Sequence, residues 1–175
     1  MKACAVAAGL VLACVTAACA PALDWREVRP ASSGLVALFP CKPSGNARQL
    51  RLVGAMVEMT LYSCTTAGTT YAVAFADVGQ PHLVGRALEE LATAAARNIG
   101  ASAAHATTPL RIGGMTPNPH AGRSALVGQL GDGRRVEEQV AVFSRGLRVF
   151  QATVVGAQLD SDAVETFFGA LRLPA

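Results

Sequence analysis

The feature that most constrains the fold is a pair of alternating apolar segments joined by one glycine turn. The segments ARQLRL and MVEMTLYSC flank Gly54-Ala55. Glycine in the first position suits a two-residue type II′ turn, which requires a positive φ there. The predicted opposite pairs are Leu52 with Val57, Leu50 with Met59 and Arg51 with Glu58. Because apolar residues then meet on one face and an ion pair forms on the other, this stretch predicts a half-buried antiparallel hairpin.

The remaining periodicity predicts further strands and two helices. TTYAVAFADV carries large residues on one face and alanines on the other, which is typical of a central strand covered by a helix. That helix is predicted from Pro81 to Ile99. A three-strand meander over residues 121–156 follows, and Asp162 and Glu165 have the capping-box spacing of a last helix. We therefore predict an α+β fold: an antiparallel sheet of about six to seven strands with one long helix and a C-terminal helix packed on it.

The N-terminal segment predicts export and a lipid anchor. Lys2 precedes an uncharged run that ends at Ala18 and is shorter than a membrane span of about 20 residues. TAAC at 16–19 resembles the lipobox of bacterial lipoproteins, which predicts lipidation of Cys19. VLAC at 11–14 is a competing site, and an uncleaved anchor is a further alternative. The predicted organisation is a signal peptide over 1–18, a lipidated N-terminus and tether over 19–33, and a single α+β domain over 34–175.

The residue after Cys19 and the net charge bear on location and partners. Ala20 stands there instead of an aspartate, and resemblance to Gram-negative lipoproteins then implies the outer membrane, facing the periplasm. A secreted periplasmic protein and an inner-membrane anchor are the alternatives. The formal charge of +3 is too small for a nucleic-acid footprint. The predicted partners are the membrane, through the N-terminal lipid, and either another envelope protein or a small apolar ligand, with no nucleic acid.

Cys41 and Cys64 are predicted to form a disulfide. The predicted register places Cys64 opposite Gly45, close to the roughly 6 Å Cα separation from Cys41 that a disulfide needs. They are the two cysteines that remain once the leader and Cys19 are set aside, and such a pair is typical of an oxidising compartment. The alternative, a reactive thiol at Cys41, would need a histidine partner that is not near in sequence.

Searches for catalytic motifs find little. Ser124 lies in GRSALVG, which lacks the spacing of a nucleophile elbow, and the three histidines, His82, His105 and His120, are too far apart for a chelating motif. The adjacent pairs Glu89-Glu90 and Glu137-Glu138 are interpreted as solvated surface. We predict no catalytic residue, no metal ligand and no cofactor. The alternative is a histidine-dependent hydrolase or metal-dependent enzyme in which His105 and His120 converge with a carboxylate.

Two regions are candidates for binding. The loop GGMTPNPH at 113–120 is the most irregular segment, and loops often carry function. Arginines become frequent from Arg111 to Arg148. Contact with anionic groups is one interpretation of them and a solvated rim is the favoured one. The segment 24–33 is either a tether or a first edge element, and its Trp25 is predicted to pack on the domain. The functional hypothesis is a non-catalytic binding or envelope assembly module that acts through a sheet face or this loop.

Three stretches carry a resemblance to known proteins: LVALFPCKP, YAVAFADV with the following LEELATAAARNIG, and RVFQATVVG with the later AVETFFGALRL. Together they resemble small bacterial lipoproteins with a PsbP-like α/β/α sandwich fold. The resemblance covers residues 34–174 and rests on patterning and element order. It implies a binding or assembly role and transfers no catalytic residue to this chain.

Overall fold

The computed structural model describes residues 23–101 and 105–174, without the side chains of residues 105 and 106. The predicted signal peptide and Cys19 lie outside this part. Its strands are β1 (Arg26–Val28), β2 (Ala37–Phe39), β3 (Ser44–Leu52), β4 (Ala55–Thr66), β5 (Thr69–Asp77), β6 (His105–Thr108), β7 (Gly122–Gln129), β8 (Arg135–Arg145) and β9 (Arg148–Gly156). Its α-helices are α1 (Val84–Asn98) and α2 (Ser161–Gly169).

The strands β3 to β9 form one antiparallel sheet in the order β3-β4-β5-β9-β8-β7-β6, while β1 and β2 pair separately. Seven strands in the main sheet confirm the predicted number. Helix α1 has 15 residues, so the long helix predicted from Pro81 to Ile99 is wrong at its start. Pro81 opens a 3-10 turn instead, in which Leu83 N–H donates to the Gln80 carbonyl oxygen. Neither helix in the described ranges has the length and apolar character needed to cross a membrane.

The β3–β4 hairpin forms with a register that differs from the predicted one by two residues. The observed pairs are Leu52 with Ala55, Arg51 with Met56 and Leu50 with Val57. A shift of two leaves every side chain on its predicted face, because side chains alternate with a period of two along a strand. The predicted apolar face is therefore kept, while the predicted ion pair between Arg51 and Glu58 is lost.

The turn of this hairpin explains the shift. Val53 and Gly54 are its central residues, with φ values of 47° and 84°. Positive φ at both positions defines a type I′ turn, whose twist matches that of the flanking strands. Valine is strained in this region of backbone conformation. The Val53 N–H is held by Glu90 Oε2 of α1 at 2.9 Å, so the helix supports the turn.

The two faces of the sheet bury different side chains. Helix α1 packs over Ala74 and Ala76 of β5, which confirms the predicted small face of that strand. The opposite face carries Tyr71 and its large neighbours, and these pack against α2 and β2. Phe167 of α2 meets Phe39 and Tyr71 edge-on, each with ring centroids 5.5 Å apart. Helices therefore cover both faces of the sheet.

The segment 24–33 packs on the domain. Strand β1 pairs with β2 in antiparallel register. Trp25 lies edge-on to Tyr71 with ring centroids 6.3 Å apart, which confirms the prediction that it packs on the domain. The Arg172 guanidinium pairs with the Glu27 carboxylate. Together with its pairing to Arg29, this hydrogen bond lowers the pKa of Glu27.

The start of α2 differs from the predicted capping box. Asp160 is the N-cap, and its carboxylate accepts a hydrogen bond from Ala163 N–H at 2.9 Å. The predicted box between Asp162 and Glu165 does not form, because Asp162 lies inside the first turn of the helix, and Glu165 pairs instead with Arg123 of β7. One carboxylate thus caps the helix while another ties it to the sheet.

A disulfide joins Cys41 to Cys64, with an S–S distance of 2.08 Å and Cα atoms 6.0 Å apart. The changed register places Tyr62, not Cys64, opposite Gly45. The bridge still forms, because Cys64 lies next to the last pair of the β3–β4 ladder and Cys41 lies just before β3. The bond therefore closes the open end of this hairpin.

Replacing both cysteines by alanine should lower the free energy of unfolding by about 3 kcal/mol, because the bridge closes a loop of 23 residues in the unfolded chain. Urea unfolding of the oxidised wild type and of the double variant measures this difference. The same comparison under reducing conditions is the control, and there most of the difference should disappear. An equal stability of the two oxidised proteins would contradict the expectation.

Candidate functional site

A cleft of the described residues lies beside β6 and under the segment 109–121, which we call the cleft loop. Its volume is about 700 Å³. Most of its lining side chains are apolar: Pro109, Leu110, Ile112, Met115, Pro117 and Pro119. The polar part of the lining comes from two threonines, Asn118 and Arg111, and Arg111 is its single charged side chain. The cleft is therefore an apolar surface with one cation at its margin.

Proline and glycine explain why the chain leaves the sheet here. Strand β6 ends at Thr108, immediately before Pro109, which has no N–H for a ladder and restricts the residue before it. Gly114 has a φ of 81°, and a Cβ at this position would lie 1.9 Å from the Leu173 carbonyl oxygen. Only glycine fits this contact with the C-terminal segment.

The cleft loop is fixed by backbone contacts to two other parts of the domain. Leu173 N–H donates to the Gly113 carbonyl oxygen at 2.7 Å, and Thr116 N–H donates to the Ser144 carbonyl oxygen at 2.7 Å. The Thr116 hydroxyl in turn accepts from Gly146 N–H at 3.0 Å. A loop anchored in this way forms a binding surface before a ligand arrives, which reduces the entropy lost on binding.

His120 attaches the end of the cleft loop to α1. Its Nδ1 lies 2.8 Å from Glu89 Oε1, and its backbone N–H donates to Asn118 Oδ1 at 2.9 Å. The imidazole rests on Gly85, where a Cβ would come within 2.9 Å of Cδ2. This pair has no signal in the sequence, because the two residues are 31 positions apart and no local spacing links them.

A second cleft of about 430 Å³ lies between α1 and the sheet, and His120 is part of its lining. Glu89 and Thr93 of α1 line one wall, and Ser124 of β7 lies on the floor. The Ser124 hydroxyl is within 3.0 Å of the Thr107 hydroxyl. Of the hypothesis that His105 and His120 converge with a carboxylate, the structure shows one part, the contact of His120 with Glu89.

The other two histidines are His82 and His105. The His105 side chain lies outside the described part, and His82 is exposed in the 3-10 turn. Within the ranges 23–101 and 105–174, no three histidine, cysteine or acidic side chains are grouped as metal ligands would be.

The arginines of the meander are mostly paired locally. Arg123 donates to both Glu165 carboxylate oxygens at 2.7 and 3.1 Å and lies over the Phe168 ring, and this pairing lowers the pKa of Glu165. Arg148 donates to both Asp77 oxygens at 3.0 and 2.6 Å. Since these cations sit in separate ion pairs, they do not form one anion-binding patch.

Glu138 is a buried acid, so its interpretation as solvated surface is wrong. It is 5% exposed, because it shares the α1 face of β8 with Val136 and Val140. Its partners in register are Leu126 of β7 and Val155 of β9. Burial among these apolar side chains raises its pKa to about 7. The adjacent Glu137 is half-buried and points to the other face.

Comparison with protein-family models and with curated proteins finds no match to this chain.

The substitution Glu138→Gln should remove a pH dependence of stability. The ordinary pKa is 4.5 and the folded-state value about 7, so the folded state binds an extra proton between these values. The free energy of unfolding of the wild type therefore falls as pH rises through this window, by about 3 kcal/mol in total. Glutamine does not titrate, so the free energy of unfolding of the variant should increase relative to that of the wild type as pH rises.

Chemical unfolding at about pH 4 and about pH 8 tests this, one pH lying below and one above the window. Glu58→Gln, on the exposed side of β4, is the matched control and should follow the wild type at both values. Parallel pH profiles for the wild type and Glu138→Gln would contradict the assignment.

Proposed function

We propose that this chain is a periplasm-facing outer-membrane lipoprotein, lipidated at Cys19, whose domain is a non-catalytic binding module for a small apolar ligand. The observation that carries the proposal is the apolar cleft under the anchored cleft loop. A volume of about 700 Å³ falls within the range typical of small-molecule sites. Each apolar Å² that ligand and cleft remove from water contributes about 25 cal/mol.

The order and layering of the elements support the resemblance to the PsbP-like α/β/α sandwich. Helix α1 lies on one face of the antiparallel sheet and α2 on the other. A binding or assembly role, as that resemblance implies, agrees with the mostly apolar lining of the cleft. Envelope assembly through a protein partner is part of the same proposal.

The proposed anchor would keep the cleft near a membrane. Residues 20–25 separate Cys19 from β1, and fully extended they span only about 20 Å. Several acyl chains on one cysteine, each contributing about 0.8 kcal/mol per buried CH₂, would hold the domain at the bilayer surface. An apolar ligand that partitions into the membrane would then be within reach of the cleft.

The substitution Met115→Gln should weaken binding of an uncharged fluorescent probe, N-phenyl-1-naphthylamine, by about tenfold, because a polar amide replaces half-buried apolar lining. The new side-chain oxygen can still accept the Ile112 N–H that now points to the Met115 sulfur at 3.3 Å, so the loop should stay in place. A fluorescence titration measures the affinity.

Met56→Gln is the matched control. Met56 is 59% exposed on β4, is not part of the cleft lining, and its substitution should leave probe affinity unchanged. Failure of the wild type to bind the probe, or an equal loss in both variants, would reject the cleft as an apolar site.

A histidine-dependent hydrolase is the second candidate, favoured by the contact between His120 and Glu89 in a cleft that also contains Ser124. The Ser124 hydroxyl contacts the Thr107 hydroxyl and not the His120 imidazole in the hydrogen bonds of the structure. If the domain is a binding module, it should hydrolyse p-nitrophenyl butyrate no faster than buffer does. Turnover by the wild type that is lost in His120→Gln and kept in His82→Gln would favour the enzyme instead.

A further inference from the structure

The two edges of the main sheet are protected to different degrees. Strand β6 is four residues long, its register with β7 shifts between His105 and Thr108, and a proline follows it. Strand β3 is nine residues long and pairs with β4 without a register shift. It contains no proline, and most of its residues are exposed. In the described part of the chain no strand pairs with its outer side. Such an edge is a ready template for another strand.

The turn determines which backbone groups of β3 face outward. In a two-residue type I′ hairpin the residues that flank the turn, here Leu52 and Ala55, form a hydrogen-bonded pair. Bonding to β4 then alternates along the strand. The residues whose N–H and C=O groups point away from β4 are Gly45, Ala47, Gln49 and Arg51. Three of them have small or uncharged side chains, so a second backbone can approach closely.

Both ends of β3 are held in place. The disulfide between Cys41 and Cys64 closes one end, and the Val53 turn, bonded to Glu90 of α1, closes the other. A strand restrained at both ends is already extended before a partner binds. The entropy lost when a strand adds to it is therefore smaller than for a free segment.

The edge is positively charged. Arg48 and Arg51 are exposed on β3, Lys42 precedes it, and no acidic residue occurs between positions 42 and 57. Arg48 and Arg51 lie on opposite faces of the strand because they differ by an odd number of positions. Two copies of β3 would bring four arginines together with no acid on the ladder, which disfavours self-pairing.

We propose that the outer edge of β3 binds an extended acidic segment of another protein as an added β-strand. Main-chain hydrogen bonds to the outward-facing residues supply the contact, as in other cases of strand addition. Two carboxylates three residues apart in the partner pair with Arg48 and Arg51. This surface is separate from the cleft and does not depend on a ligand there.

A pair of synthetic nine-residue peptides tests the proposal on the purified full-length protein. Both consist of threonine and valine, one with glutamate at the third and sixth positions and the other with lysine there. We expect the glutamate peptide to shift the backbone NMR signals of residues 45–51, and to bind at least about fivefold more tightly than the lysine peptide. The preference should weaken with added salt.

Three variants separate backbone pairing from charge. Gln49→Pro removes an outward N–H that β4 does not use, so it should abolish peptide binding, while Gln49→Thr keeps the N–H and should retain it. Arg48→Glu together with Arg51→Glu should reverse the preference toward the lysine peptide. If Gln49→Pro disturbs the fold, this charge-reversed variant still decides the question.

Three results would overturn the proposal. Absence of any shift in residues 45–51 would mean that Arg48 and Arg51 serve to block the edge. Equal affinity for both peptides would show that the edge does not select an acidic partner. Concentration-dependent self-association that Gln49→Pro abolishes would make a second copy of this chain the occupant.

Discussion

Burial of both faces of one antiparallel sheet is the constraint on which the rest of this structure depends. Strand β9 illustrates it: Phe150 stacks on Phe143 of β8 with ring centroids 5.0 Å apart on the α2 face, while Val149 packs under α1 on the other. Each interior strand must therefore supply two sets of apolar side chains with different volumes. The candidate binding surfaces therefore lie at the margins of the sheet that the helices leave uncovered.

The path of α1 decides where those places are. Its first turns pack over Ala76 and Val149, and its last turn packs over Leu126 and Val136. The helix therefore crosses the sheet obliquely. His120, near the end of the cleft loop, contacts α1 at Gly85 and Glu89, while Ile112 of the same loop packs in the core on the α2 face. Thr107 of β6 lines both clefts. The β3 edge lies at the far side, so ligand binding and strand addition would use separate surfaces.

Much of the fold follows from patterns of two and of 3.6 residues. The alternation in β5 predicts which face carries alanine, because successive strand side chains point to opposite sides. The hairpin register is harder to predict from the sequence, because Gly54 can be the first central residue of a type II′ turn or the second central residue of a type I′ turn. The choice places strained Val53 in the turn, where Glu90, far away in sequence, accepts its N–H.

The sequence by itself determined the antiparallel sheet, the faces of its strands and the pairing of Cys41 with Cys64, because these depend on local periodicity and on few available partners. Tertiary structure alone decided that Glu138 is buried, that His120 meets Glu89, and that the prolines of the cleft loop surround an apolar cleft. These features arise where distant segments pack together. A contact between residues far apart in the chain has no local period that could reveal it.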